Sequence, residues 1–330
     1  MRSAACVVIC LAPFLSSVAL AQAPAGGPAA GFPLRTVRIV VPQGPGSGVD
    51  TYTRLIAQKL IETWGQQVIV DNRPGANGII GVEQVTKAKP DGYTILAAFT
   101  SLLTINPHVY KSLPYDVQRD LVPVMRTVTN TIALVVHPKL PVRTLKELIA
   151  LAKARPGELM YGSAGIGNVS HLSAELLSSE AGIRLMHVPY KGAPPAIQET
   201  MTGQVAFTFP ILISVSPHIQ AGRLRLLATG GERRNSVFPD APTMVESGYP
   251  GMIVTGWGGY MAPANTPREV VAAMHRDAAR ALQGAELREK LSTMGSDPEV
   301  SSPEQFGAFL KSETQKWGRI AKRAGVYKSQ

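Results

Sequence analysis

The chain is poor in cysteine. Its two cysteines, Cys6 and Cys10, both lie in the apolar stretch at the N-terminus. The remainder therefore cannot form a disulfide, use a thiolate nucleophile or hold zinc or an iron–sulfur cluster through sulfur. The histidines at 108, 137, 171, 187, 218 and 275 show no His-x-His or His-x-x-x-His spacing. No metal site and no cofactor are expected. No pair of carboxylates stands out as an acid–base couple. Clustered charge is missing too. The formal charge is +10 and the pI near 9.7, yet no long Lys/Arg block appears. Nucleic acid is one partner for a basic protein, but scattered charge on an exported chain argues against it. A field that draws anionic solutes toward a site fits better, with diffuse surface charge of no particular role as the alternative.

The N-terminus does carry a signal. Arg2 supplies a positive start, an apolar run extends from Ala4 to Leu15, and Ala-Leu-Ala closes the segment at Ala21. This predicts a secretory signal peptide over 1–21, cut after Ala21 or, as second choice, after Ala23. The run is short for a membrane anchor, which needs about 20 apolar residues, so no membrane insertion is expected after cleavage. Residues 22–31, rich in Ala, Gly and Pro, predict a flexible mature N-terminus. About 300 residues remain, which suggests about two domains.

Short apolar runs then alternate with amphipathic stretches. β-strands are expected over 37–41, 68–70, 94–99, 133–136, 159–163, 185–189, 205–209 and 224–229. Apolar residues at helical spacing lie between them, as in Tyr52, Leu55, Ile56, Leu60 and Trp64. Thr144 with Glu147 and Ser302 with Gln305 predict capping boxes. Strand, loop and helix in repetition predict an α/β protein of two lobes, each a mostly parallel sheet flanked by helices. Ligands of such sheets bind beyond the carboxyl ends of the strands. The loops to inspect follow Val41, Phe99, Tyr161 and Val188.

The first loop, 42–50, carries Gly44, Gly46 and Gly48, which let backbone N–H groups approach a ligand at a helix start. Ser47 and Asp50 read as a capping box. The spacing is neither the dinucleotide fingerprint nor a phosphate loop, and a tight turn with glycines for geometry alone explains it equally well. The second loop, 163–171, offers Ser163 and Asn168, the latter also an ordinary helix cap. A Ser163–His171 nucleophile pair would need an orienting third group and a Gly-x-Ser-x-Gly elbow, and neither is present. The third loop offers Tyr190 and Lys191.

Taken in order, several segments resemble the periplasmic receptors of tripartite tricarboxylate transporters, the Bug family. They are Val-Arg-Ile-Val-Val-Pro at 37–42, Val-Asp-Asn-Arg-Pro-Gly-Ala at 70–76, Lys-Pro-Asp-Gly-Tyr-Thr at 89–94 and Pro-Tyr-Asp at 114–116. Tyr-Lys-Gly follows at 190–192, Pro-His-Ile-Gln-Ala-Gly at 217–222 and Phe-Pro-Asp-Ala-Pro-Thr at 238–243. The resemblance implies a periplasmic, non-enzymatic two-lobe receptor of the type II-like binding-protein kind, closing around a small carboxylate for membrane subunits of a transporter. It places lobe 1 at 32–129 plus 255–330 and lobe 2 at 130–254, with crossings near 127–133 and 254–259. By position it points to Gly44, Gly46, Ser47, Gly48, Ser163, Asn168 and Tyr190, with Ser101 as an addition. The sequence departs from the family where Ala206 and Pro210 stand in place of usual acidic residues, Gln43 in place of an aromatic and Ser47 in place of a glycine. Loss of acidic partners for an ammonium group implies a ligand without an amino group, such as a dicarboxylate or aromatic acid. An exported hydrolase on a similar scaffold and a receptor serving a signalling partner are the alternative readings.

Overall fold

A computed structural model describes residues 31–330. The expected signal peptide and nearly all of the 22–31 segment lie outside the described residues. The described residues hold eleven strands: β1 (Val37–Val41), β2 (Val68–Asn72), β3 (Thr94–Phe99), β4 (Leu121–Thr131), β5 (Ala133–Val136), β6 (Met160–Ser163), β7 (Met186–Pro189), β8 (Phe207–Thr208), β9 (Arg225–Thr229), β10 (Thr255–Pro263) and β11 (Ser296–Pro298). They form two sheets, ordered β11-β4-β10-β3-β1-β2 and β7-β6-β8-β5-β9. Helices flank both. The α/β class and the two-lobe arrangement follow from this.

The sheets are mixed, which corrects the expectation of mostly parallel ones. β1 runs parallel to β2 and β3, and β6 to β7 and β8. β10 is antiparallel to β3 and β4, β11 to β4, and β5 to β8 and β9. The cause is the route of the chain. β4 leads out of the first sheet, a single residue, Ile132, separates it from β5 in the second, and β10 returns to lie against β4. Two long strands laid side by side in opposite senses must pair antiparallel.

Apolar strand residues bury on both faces. Val37, Ile39, Val40 and Val41 in β1 are fully buried, as are Leu96, Ala97 and Ala98 in β3. One core surrounds the first sheet and another the second. The last helix, Pro303–Arg323, reaches both: Phe306 and Leu310 belong to the first core, Trp317, Ile320 and Ala321 to the second. Its start has the full reciprocal box expected of Ser302 and Gln305. Among the described residues, no helix is long and apolar enough to cross a membrane.

Candidate functional site

The parallel strands aim their carboxyl ends at a common cleft. β1 feeds the Gly48–Trp64 helix, β6 the Val169–Ala181 helix, and β7 the Ala193–Thr202 helix. The first residues of all three line one inner cavity of about 50 Å³: Gly48 and Val49, Asn168 to Ser170, and Ala193 with Ala196 and Ile197. Phe99, Phe209, Ile211 and Trp257 add apolar walls, and Thr100, Asn130 and Thr208 polar ones. No ionisable side chain is among the lining residues. Each helix start carries about half a positive charge from the peptide dipoles. Free N–H groups remain at Gly48 and Val49 of the first helix, whereas Pro194 and Pro195 have none to offer at the third and Val169 and Ser170 of the second already donate to Ser101 and Asn168. Three such ends around a neutral, largely apolar space suit an anion with a hydrocarbon body. A second cavity of about 530 Å³, sharing Gln43 and Ala164 with the first, forms a mouth lined by residues 74–78 and 189–192.

Gly48 and Asn168 therefore line the inner cavity, and Gly44 and Tyr190 the mouth. Gly46, Ser47, Ser101 and Ser163 line neither; they shape the loops from behind. The Ser47 hydroxyl accepts from the Asp50 N–H at 3.2 Å and starts the helix. The expected reciprocal bond is displaced by one residue, because the Asp50 carboxylate accepts from Gly46 N at 3.0 Å. Gly46 has φ of 76°, a turn that favours glycine. Asp50 also accepts from Asn72 Nδ2 at 2.9 Å and pairs with Arg54. Burial, the largest single influence on Asp50, raises its pKa. Arg54, the Gly46 N–H and Asn72 together outweigh it, and the net direction is down.

The second loop is held from two sides. The Ser163 hydroxyl, fully buried, lies 2.6 Å from His187 Nε2 and accepts from Gly165 N at 3.2 Å. Its partner is thus His187 on the neighbouring strand and not His171. His171 instead accepts the Gly167 N–H through Nδ1 at 3.2 Å, and its ring stacks on His187 with centroids 4.1 Å apart. Burial depresses both imidazoles, His187 to about 4 and His171, next to His187, to about 3. Two neutral rings so placed brace the loop.

Asn168 caps the second helix, its Oδ1 accepting from Ser170 N at 3.1 Å. It also reaches across the cleft, donating from Nδ2 to Asn77 Oδ1 at 3.2 Å. Asn77, with φ of 49°, donates in turn to Asn106 Oδ1 at 2.6 Å. Ser101 opens a π-helical turn, Ser101–Ile105, after β3 and makes a second link across the cleft. Its hydroxyl accepts the N–H of Val169, the first residue of the second helix, at 3.0 Å.

Sequence reasoning missed Thr100, Asn130, Thr208, Ile211 and Trp257. Thr208 and Ile211 lie at and beyond the end of the expected 205–209 strand, so the rule that ligands sit past strand ends would have found them. Asn130 and Trp257 sit on β4 and β10, which carry no simple strand pattern.

The family model described as the tripartite tricarboxylate transporter family receptor matches residues 52–326. Protein BugT of Bordetella pertussis (strain Tohama I) is 36% identical over 296 residues, spanning 89% of this chain and 91% of BugT. The solved structure of R. palustris Rpa4515 with adipate superposes with a TM-score of 0.88 at 34% identity, covering 90% of this chain and 99% of that one. MatC (Rpa3494) from Rhodopseudomonas palustris with bound malate gives 0.83 at 29% identity over 88% and 99%. With a family match over most of its length, likeness to a Bug protein and close superposition on solute-bound relatives, the chain belongs to the tripartite tricarboxylate transporter receptor family.

Proposed function

We propose that this protein is a periplasmic receptor that binds a small carboxylate without an amino group between its lobes and delivers it to the membrane subunits of a transporter. One observation carries the reading: three helix N-termini meet at a cavity with no ionisable lining residue. A carboxylate there takes hydrogen bonds from N–H groups and needs no buried countercharge. Adipate and malate in the structures of relatives are dicarboxylates of this chemical kind. The apolar walls formed by Phe99, Phe209, Ile211 and Trp257 suit an aliphatic chain or aromatic ring. No acidic side chain lines the cavity to meet an ammonium group, in keeping with Ala206 and Pro210. The N-terminal signal pattern supports export.

Lobe 1, residues 32–129 with 255–330, and lobe 2, residues 130–254, rotate about the crossings near 127–133 and 254–259. Ligand favours the closed form because only there do both lobes touch it. The Asn168–Asn77 and Val169–Ser101 bonds fit contacts made on closure. Binding rather than hydrolysis is supported by the place of the Ser163–His187 pair: Ser163 is fully buried and lines neither cavity, so its hydroxyl does not face a substrate.

A thermal-shift screen of the mature protein against aliphatic and aromatic mono-, di- and tricarboxylates tests the proposal, because a ligand that binds only the native state raises the midpoint by mass action. A rise with one or more acids, absent with glutamate and aspartate, is expected. A flat screen of folded protein, or micromolar binding of an acidic amino acid, refutes it.

A further inference from the structure

We propose that Asn130 is a specificity-determining contact at the inner end of the cleft, donating through its side-chain amide to an acceptor oxygen of the ligand, and that Ser296 fixes it in that role. The inference rests on the receptor reading above.

Asn130 lies on β4, is 2% exposed and lines the inner cavity. Its Oδ1 accepts from the Ser296 hydroxyl at 2.5 Å. Ser296 is fully buried and stands opposite Asn130 in the β11–β4 register. The short edge strand β11 thus delivers one hydroxyl to one amide. With Oδ1 occupied by a donor, the amide presents only its N–H groups elsewhere, and these meet no protein acceptor. A buried amide with free donors at a cavity wall calls for an acceptor in the cavity. Beside it stands Gly256, where a Cβ would come within 3.4 Å of Ile211 and 3.5 Å of the Asn130 side chain. Glycine there keeps the wall open next to the amide.

The consequence is a rule of ligand choice. The helix N-termini hold one carboxylate, and Asn130 reads the other end of the molecule as an acceptor, a second carboxylate or carbonyl. It rejects an ammonium group, whose donors would face donors. A site built on such a match discriminates strongly because the wrong group leaves buried polar atoms unpaired. The acceptor-only preference is therefore set by a neutral amide whose oxygen is taken by Ser296 and not by a positive side chain.

Calorimetric titration of paired ligands gives the test: adipate against 6-aminohexanoate, and succinate against 4-aminobutanoate. Wild-type protein, Asn130→Asp and Ser296→Ala are compared at neutral pH. The wild type is expected to favour the diacid of a pair. In Asn130→Asp the acceptor meets an acceptor, so diacid affinity falls by about 10- to 150-fold, the loss expected for a hydrogen bond to a charged group, while the amino acid loses less or gains. The ratio of the two dissociation constants, which a general loss of structure would not invert, moves toward the amino ligand. Ser296→Ala releases the amide and shifts the ratio the same way by a smaller factor, which keeps the test open should Asn130→Asp fail to fold. A wild type that binds a diacid, with both ratios unchanged in the folded variants, overturns the inference alone. A folded wild type that binds neither diacid overturns it together with the dicarboxylate reading.

Discussion

Replacing Gly48 by alanine should block lobe closure while leaving each lobe intact. Gly48 is the first residue of its helix and has no left-handed backbone, so alanine is tolerated locally and raises helix propensity. The cost comes from across the cleft. A Cβ at position 48 would lie 2.0 Å from Ile211 Cδ1, 2.5 Å from Ile211 Cγ1 and 2.9 Å from Ile213 Cγ2. Carbon atoms rest at about 3.5–4.0 Å, so the segment carrying Ile211 must retreat. Overpacking of this sort costs about 1–3 kcal/mol. The penalty falls on the closed form alone, and the fraction of binding-competent protein drops with it. The dissociation constant should rise by about 5- to 150-fold. Titration calorimetry on the tightest carboxylate reads the loss, and denaturant unfolding without ligand shows whether the lobes are intact. Ile211→Ala combined with Gly48→Ala removes the two nearest atoms and should recover part of the loss, giving a non-additive double-mutant cycle. Unchanged affinity in Gly48→Ala, or strict additivity with Ile211→Ala, would refute the argument that these residues meet on closure.

Acid should destabilise the 163–171 loop well above the carboxylate range. His171 and His187 have pKa values depressed by burial from about 6.5 to about 3 and about 4. Between those values and 6.5 the unfolded chain binds protons that the folded chain refuses. The stability they contribute is therefore full above about pH 6.5 and declines as pH falls toward 4. For His171 the loss at pH 5 is about 2 kcal/mol, with His187 adding in the same direction. Urea unfolding across pH 7 to 4 checks this, and the loss should shrink in His171→Phe. Ser101→Ala leaves the Val169 N–H without its acceptor across the cleft, a cost of about 1–3 kcal/mol that should appear as a smaller ligand-induced rise in Tm. The Asn130→Asp and Ser296→Ala variants should turn ligand preference toward amino-terminated analogues.

Much of the scaffold was legible because its strands announce themselves. The β-branched run of β1 and the apolar β3 are buried on both faces, and Thr144, Asn168 and Ser302 cap the helices expected of them. β4 and β10 were not legible. The sequence of β10 is Thr-Gly-Trp-Gly-Gly-Tyr-Met-Ala-Pro, and its three glycines break up the apolar and β-branched run that marks a strand. They are there because neighbours press on the strand: a Cβ at Gly258 would strike the Tyr52 ring and one at Gly259 the Phe306 ring. Close approach decided those residues, and strand propensity did not. The same limit hid half of the site. Gly48 and Asn168 follow parallel strands and could be placed by rule. Asn130 depends on which strand lies beside β4. The Ser163 partner depends on the β6–β7 register, which sets His187 opposite Tyr161, two residues before Ser163 and on the same face of the sheet. Pairing between strands distant in sequence leaves no mark in local spacing.

In the function proposed above, the cleft recognises a free carboxylate through helix N-termini. Calorimetric titration of the mature protein with a dicarboxylate and with its dimethyl ester tests it most directly. The ester keeps the carbon chain and the carbonyl oxygens but loses the charge. Saturable binding of the acid with none of the ester is the predicted result. Equal binding of both, or no binding of any carboxylate by the folded protein, would contradict it.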